Sequence, residues 1–208
     1  MTGPVVVVSS VTHVVGGVTV LDDVSLAVGP GELVALAGRS GSGKTTLLHL
    51  VAGVGRPTSG RIAVLDRAAA DVDDWGAASL TPQHSAVAAG LTVRENVALA
   101  AALRGVVLDD ALLVALGLDA IADRPGTDTS LGEQQRTAIA RGLVLAPALA
   151  LLDEPTSHQD DDHVVLVLAA LQAARDAGSA VLVATHDPRV MDAADRVTHL
   201  SGGRVVDA

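Results

Sequence analysis

Glu32-Leu33-Val34-Ala35-Leu36-Ala37-Gly38-Arg39-Ser40-Gly41-Ser42-Gly43-Lys44-Thr45-Thr46-Leu47-Leu48 is the stretch from which the fold can be read. Glu32 to Ala37 is a short, almost wholly apolar run, the pattern of a strand covered on both faces. Gly38 to Thr45 then fits GxxxxGK[ST], the phosphate-binding loop pattern. Each residue type has a physical reason. Glycines let the backbone turn tightly, so that successive N–H groups from Gly38 through Arg39, Ser40, Gly41, Ser42 and Gly43 point at phosphate oxygens. A helix predicted over residues 45–52 adds the positive end of its dipole and the first amides, those of Thr45 and Thr46. Lys44 supplies a point charge for the β- and γ-phosphates, and the Thr45 hydroxyl is suited to ligate Mg2+. A strand before the loop and a helix after it are the context that the pattern requires.

Lysine occurs once in the 208 residues, as Lys44, and the other basic residues are arginines. A chain that uses Arg almost everywhere and keeps one Lys points to a site where Arg will not serve. The remaining composition is consistent with one domain. Apolar residues make up 49 %, with no Phe or Tyr and a single Trp, so the core is built from Val, Leu, Ala and Ile. The net charge of −10 argues against nucleic-acid binding, which needs clustered Lys and Arg. Without cysteine there is neither a disulfide framework nor a thiolate metal site. No secretory signal is read at the N-terminus, and the longest charge-free runs fall short of the roughly 18 residues that span a bilayer. Membrane contact is therefore expected through a partner.

Strand and helix patterns alternate along the chain. Val-rich runs at residues 5–11 and 18–28 read as β, as does the run at 61–65. Thr92-Val93-Arg94-Glu95 and Ser130-Leu131-Gly132-Glu133 are capping-box patterns. They open helices predicted over residues 92–104 and 130–146, with another over 109–116. Residues 148–152 read as a buried strand, 160–177 as a helix ended by Gly178, and 180–184 as a further strand. A short helix over 188–194 and a final β pair over 197–206 complete the chain. This alternation predicts an α/β fold with a mainly parallel sheet and ligands at the carboxyl ends of its strands.

Leu149-Ala150-Leu151-Leu152-Asp153-Glu154 is an apolar strand ending in two carboxylates. Such a strand would deliver Asp153 to the Mg2+ beside a nucleotide. Glu154, next to it, would orient or deprotonate the attacking water.

Several motifs in one order now resemble a family. They are the loop Gly38 to Leu48, Gly132-Glu133-Gln134-Gln135-Arg136-Thr137-Ala138-Ile139-Ala140-Arg141, Leu152-Asp153-Glu154-Pro155-Thr156-Ser157 and Thr185-His186-Asp187. Together they resemble the ATP-binding subunits of ABC transporters, most like those of macrolide-export and lipoprotein-release systems. The resemblance implies a P-loop NTPase core with an N-terminal antiparallel β subdomain and an inserted α-helical subdomain. The core and β subdomain would comprise residues 1–83 and 146–208, and the helical part 84–145. It implies that Gln83 contacts Mg2+ or the attacking water, that His186 contacts the γ-phosphate, and that Asp160 belongs to a loop crossing a dimer interface. Ser130, Gly132 and Glu133 would open a helix that addresses the ATP held by a second subunit. ATP and Mg2+ are the implied ligands. The implied partners are an integral membrane permease and a second ATP-binding subunit, in a homodimer or heterodimer at the cytoplasmic face of the membrane.

Two departures accompany the match. The family signature usually reads Leu-Ser-Gly-Gly, whereas here it reads Thr129-Ser130-Leu131-Gly132. Leu131 brings a branched side chain to a place where backbone should approach phosphate closely. The aromatic ring that stacks on adenine is also absent, and its position falls near Val15, which with His13 is left to cover the base. These departures keep open a nucleotide-binding regulatory subunit with little hydrolysis. A non-transport ABC ATPase is the other alternative. His158 and Asp160 to His163 are read as a helix start rather than a metal cluster, and Trp75 as packing.

Overall fold

The computed structural model describes residues 3–72, 74, 76–84 and 87–206; the Trp75 reading lies outside them. Strands β1 (Val6–Val15), β2 (Val18–Val28), β4 (Ser59–Val64) and β5 (Arg67–Ala68) form an antiparallel sheet in the order β2-β1-β4-β5. Strands β3 (Leu33–Ala37), β6 (Ala78–Thr81), β7 (Leu149–Asp153), β8 (Ala180–Thr185), β9 (Arg196–Ser201) and β10 (Arg204–Val206) form a second sheet in the order β10-β9-β3-β8-β7-β6. Five of its strands run parallel, and β10 turns back antiparallel on β9. The α/β class, the mainly parallel sheet and the N-terminal antiparallel sheet are as the sequence led us to expect.

All of β3, β7 and β8 is buried, and the period-2 pleat sends alternate residues into two separate cores. Val34, Leu36, Leu149, Leu151, Leu182 and Ala184 face the antiparallel sheet and helix α1 (Lys44–Val51), whose Leu47, Leu48, Leu50 and Val51 pack there. Leu33, Ala150, Leu152, Val181 and Val183 face the other way. They meet helices α2 (Val93–Leu103), α3 (Ala111–Ala115), α4 (Leu131–Leu143), α5 (Asp161–Asp176) and α6 (Pro188–Ala193). Both faces being covered explains why these strands read as unbroken apolar runs.

Both capping boxes are present. The Thr92 hydroxyl accepts from the Glu95 amide while the Glu95 carboxylate accepts from the Thr92 amide; Ser130 and Glu133 do the same at α4. Elsewhere the elements differ from expectation in detail. Strand β1 runs on to Val15, past register shifts between Val8 and Val14 and a left-handed Ser10. Helix α4 stops at Leu143, with Ala146 in the left-handed region. Helix α3 is a little over a turn long. Strand β6 was not foreseen, because Ala-Ser-Leu-Thr is short, partly polar and on the sheet edge, where only β7 pairs with it.

Candidate active site

The loop between β3 and α1 is shaped by two glycines that admit no side chain. A Cβ on Gly38 would lie 2.3 Å from the Leu200 carbonyl oxygen, and one on Gly43 2.9 Å from that of Val20. Gly43 also has φ 104°, a value that L side chains avoid. The loop lines a cleft of about 490 Å³. Its walls are Val20, Arg39, Ser40, Gly41, Ser42, Gly43, Lys44, Thr45, Thr46, Gln83, Glu154 and His186. Sequence-distant residues meet here because β3, β7 and β8 are neighbours and end at the same edge. Gln83 arrives from the end of β6, the adjoining edge strand.

Lys44 is buried, and its Nζ donates to the Gly38 carbonyl at 2.7 Å and lies 3.5 Å from Glu154 Oε1. The Thr45 hydroxyl donates to Asp153 Oδ2 at 2.7 Å. Asp153 is 1 % exposed, and its Oδ1 has no hydrogen-bond partner. Burial pushes the Asp153 carboxyl above its usual range, against the lowering effect of the Thr45 hydrogen bond. A buried carboxylate oxygen without a partner, beside a threonine hydroxyl, is a donor set that suits a hard, oxygen-seeking divalent cation. The residues at this point therefore fit Mg2+.

Glu154 sits at φ 49°. Its amide still donates to the Ala184 carbonyl at 2.8 Å, so the chain leaves β7 sharply while holding the edge of β8. Glu154 Oε2 accepts from the His186 amide at 3.3 Å and lies 2.9 Å from His186 Nδ1. The histidine side chain lines the cleft and is 74 % exposed. Next to it, hydrogen bonds from Arg189 lower the Asp187 carboxyl to about 2. The Asp187 amide donates to the Thr185 hydroxyl at 2.9 Å, at the end of β8.

Other expected site residues lie elsewhere. Val15 pairs with Val18 at the exposed tip of the β1–β2 hairpin and does not line the cleft; Val20, further along β2, does. His13 is half-buried on β1, and its Nδ1 has no partner. Ser130, Gly132 and Glu133 form the first turn of α4, outside the cleft lining, and the Glu133 carboxylate is held by the Ser130 amide. That bond also keeps the Glu133 carboxyl below its usual range. Asp160 caps α5, accepting from the His163 amide. Among the described residues, no group of three or more His, Cys, Asp or Glu converges as metal ligands, and no helix is long and apolar enough to cross a membrane.

The family described as ABC transporter matches residues 21–157, a span that holds the phosphate-binding loop, α4 and both carboxylates. The chain belongs to that family. It is 43 % identical over 202 residues to the lipoprotein-releasing system ATP-binding protein LolD of Anaeromyxobacter dehalogenans, covering 90 % of this chain and 84 % of that protein. It is 35 % identical to the macrolide export ATP-binding/permease protein MacB of Salmonella typhimurium, over 91 % of this chain but only 31 % of that longer protein. Among solved structures, the ATP-binding cassette MJ0796, a dimer bound to ADP and Pi in a post-hydrolysis state, superposes with a TM-score of 0.88. It is 28 % identical, and 97 % of each chain is covered. The likeness to that cassette extends the match from motifs to the whole fold, including both sheets.

Proposed function

We propose that this chain is the ATP-binding and ATP-hydrolysing subunit of an ABC transporter, and that it powers a separate membrane permease through closure of a dimer around ATP. The convergence of Lys44, Thr45, Asp153, Glu154, His186 and Gln83 on one cleft carries this reading. In the reaction, the amides of residues 39–46 and the Lys44 ammonium hold the phosphates. The arriving phosphates replace Glu154 as the partner of Lys44. Glu154, thus released, orients the attacking water and takes its proton, and His186 contacts the γ-phosphate. Thr45 and Asp153, with Gln83 nearby, would hold Mg2+, which would supply neutralisation of charge on the phosphate oxygens. Val20, with Val15 further out at the hairpin tip and His13 opposite Leu21, offers cover for the base.

Ser130 and Gly132 serve the second subunit. The α4 N-terminus is a ready anion site, and it is directed at the γ-phosphate in the partner's cleft, with Glu133 remaining within its cap. The lipoprotein-release and macrolide-export relatives support assembly with a permease, and so a peripheral position at the cytoplasmic membrane face. Leu131, 59 % exposed in the first turn of α4, favours a second reading, a nucleotide-binding subunit that hydrolyses little without a different partner.

The test is Mg-ATP hydrolysis by the purified chain against protein concentration, with Glu154→Gln as control. Turnover per molecule that rises with concentration and disappears in Glu154→Gln is the expected result. Absence of turnover at every concentration would remove the self-sufficient homodimer and leave the second reading.

A further inference from the structure

One side chain outside the cleft joins the two halves of this machinery. Gln159 lies in the loop that leaves Glu154 and enters α5. Its Nε2 donates to the Gly132 carbonyl at 2.9 Å, and its Oε1 accepts from Arg136 Nη1 at 2.6 Å. Arg136 is one turn beyond Gly132 on the same side of α4 and is 4 % exposed. Its Nε donates to the Leu116 carbonyl at 2.9 Å, which anchors it to the segment after α3. Both ends of one carboxamide are therefore spent on the first two turns of α4. The backbone is equally close, since a Cβ on Gly132 would lie 2.7 Å from the His158 carbonyl oxygen.

The same loop is rigid at its other end. The Ser157 amide and hydroxyl both donate to the Glu154 carbonyl, at 3.1 and 2.8 Å. Thr156 is buried, and the Glu154 carboxylate from which the loop departs is held by the His186 amide and ring. Residues that would sense the γ-phosphate, Glu154 and His186, are thus connected through five residues of braced loop to the start of α4. We infer that Gln159 is a positioning residue: its carboxamide ties the N-terminus of α4 to the loop leaving Glu154, so that occupancy of a subunit's own cleft resets the helix end that it presents to its partner. This rests on the shared-site reading above, in which α4 addresses the other subunit's nucleotide. Gln159 is not among the residues that line the cleft, so the inference separates binding from relay.

The experiment is amide hydrogen exchange over residues 130–136, with and without Mg-ATPγS, at dilutions where the chain is monomeric. It compares wild type, Gln159→Leu and Gln159→Glu. The glutamate variant keeps the acceptor for Arg136 and loses only the donor to Gly132, so it remains informative if the leucine variant fails to fold. Wild type is expected to change its exchange at the start of α4 when nucleotide binds. Both variants are expected to lose that change while binding nucleotide with unaltered affinity, and in steady state to lower kcat with KM held. A side chain that merely stabilised the fold would leave the nucleotide-dependent difference intact. The inference is overturned if that difference persists in the variants, or if wild type binds nucleotide with no change at α4. If wild type binds no nucleotide, the proposed function fails instead. The tether itself is then judged from exchange without ligand, which should quicken about three- to tenfold in Gln159→Leu; no change would refute it.

Discussion

Replacing Asp153 by Asn should make the unliganded protein more stable and its Mg-ATP complex less so. The side chain is 1 % exposed and has one oxygen bonded to Thr45 and one bonded to nothing. Burial holds the carboxyl above its usual range, so its ionised form opposes folding at neutral pH. Asn retains an acceptor for the Thr45 hydroxyl and exchanges an unpartnered charge for an unpartnered neutral amide, which costs less to bury. The net gain is about 1–2 kcal/mol. For a chain of this size that is a rise in melting temperature of roughly 2–8 °C. The sign with pH follows from the raised carboxyl. The penalty is absent below the unfolded carboxylate range, grows as pH rises from there to the raised native value, and is complete above it, so the advantage of Asn should be larger at pH 8 than at pH 4. With ligand the order reverses. Wild type saturated at about a hundred times its dissociation constant gains about 2.7 kcal/mol, and the part of that gain that depends on Mg2+ should vanish in the variant. Thermal melts of both proteins, with and without ATP and with Mg2+ or EDTA, read all four quantities. An apo Asp153→Asn protein that melts below wild type would refute the argument, because the carboxylate would then be satisfied within the fold.

The other predictions concern the capping and loop residues. Ser130→Ala removes a helix cap and should cost about 1 kcal/mol, or roughly 2–4 °C in melting temperature. Ser130→Asp should recover that stability, and if hydrolysis stays low, the hydroxyl has a role beyond capping. Asp187 contributes stability above the unfolded carboxylate range that is lost as pH falls toward about 2. Asp187→Asn should therefore cost about 2 kcal/mol at pH 7 in a urea titration, with the gap closing below about pH 4. A gap independent of pH would mean that the aspartate acts by shape alone.

How much of this was legible depended on where the information lies. The β3–loop–α1 unit could be read because its apolar run, its glycines and its lysine are contiguous, and the chemistry and local conformation demand the same residues. Asp153 and Glu154 were legible for a similar reason, at the end of a strand buried on both faces. The four residues of β6 carry no such pattern, since their strand character comes from β7 alone. Val15 illustrates a different limit. Spacing can count residues to a hairpin tip, but only the packing of the hairpin decides that Val20 lines the cleft. Ser130 and Gly132 stand apart from the cleft of their own chain, so neither pattern nor single-chain geometry joins them to it. Gln159 was invisible in the sequence because a glutamine before a helix cap has no distinctive spacing, and its partners are 23 and 27 positions away.

The single lysine has a practical side. Its side chain is 7 % exposed, and its ammonium is tied to the loop that it closes. A lysine-specific protease therefore has one place to cut, between residues 44 and 45, and reaches it only when the core of the phosphate-binding loop opens. Cleavage into residues 1–44 and 45–208 then serves as a clock for that opening, with no label introduced and every other peptide bond silent.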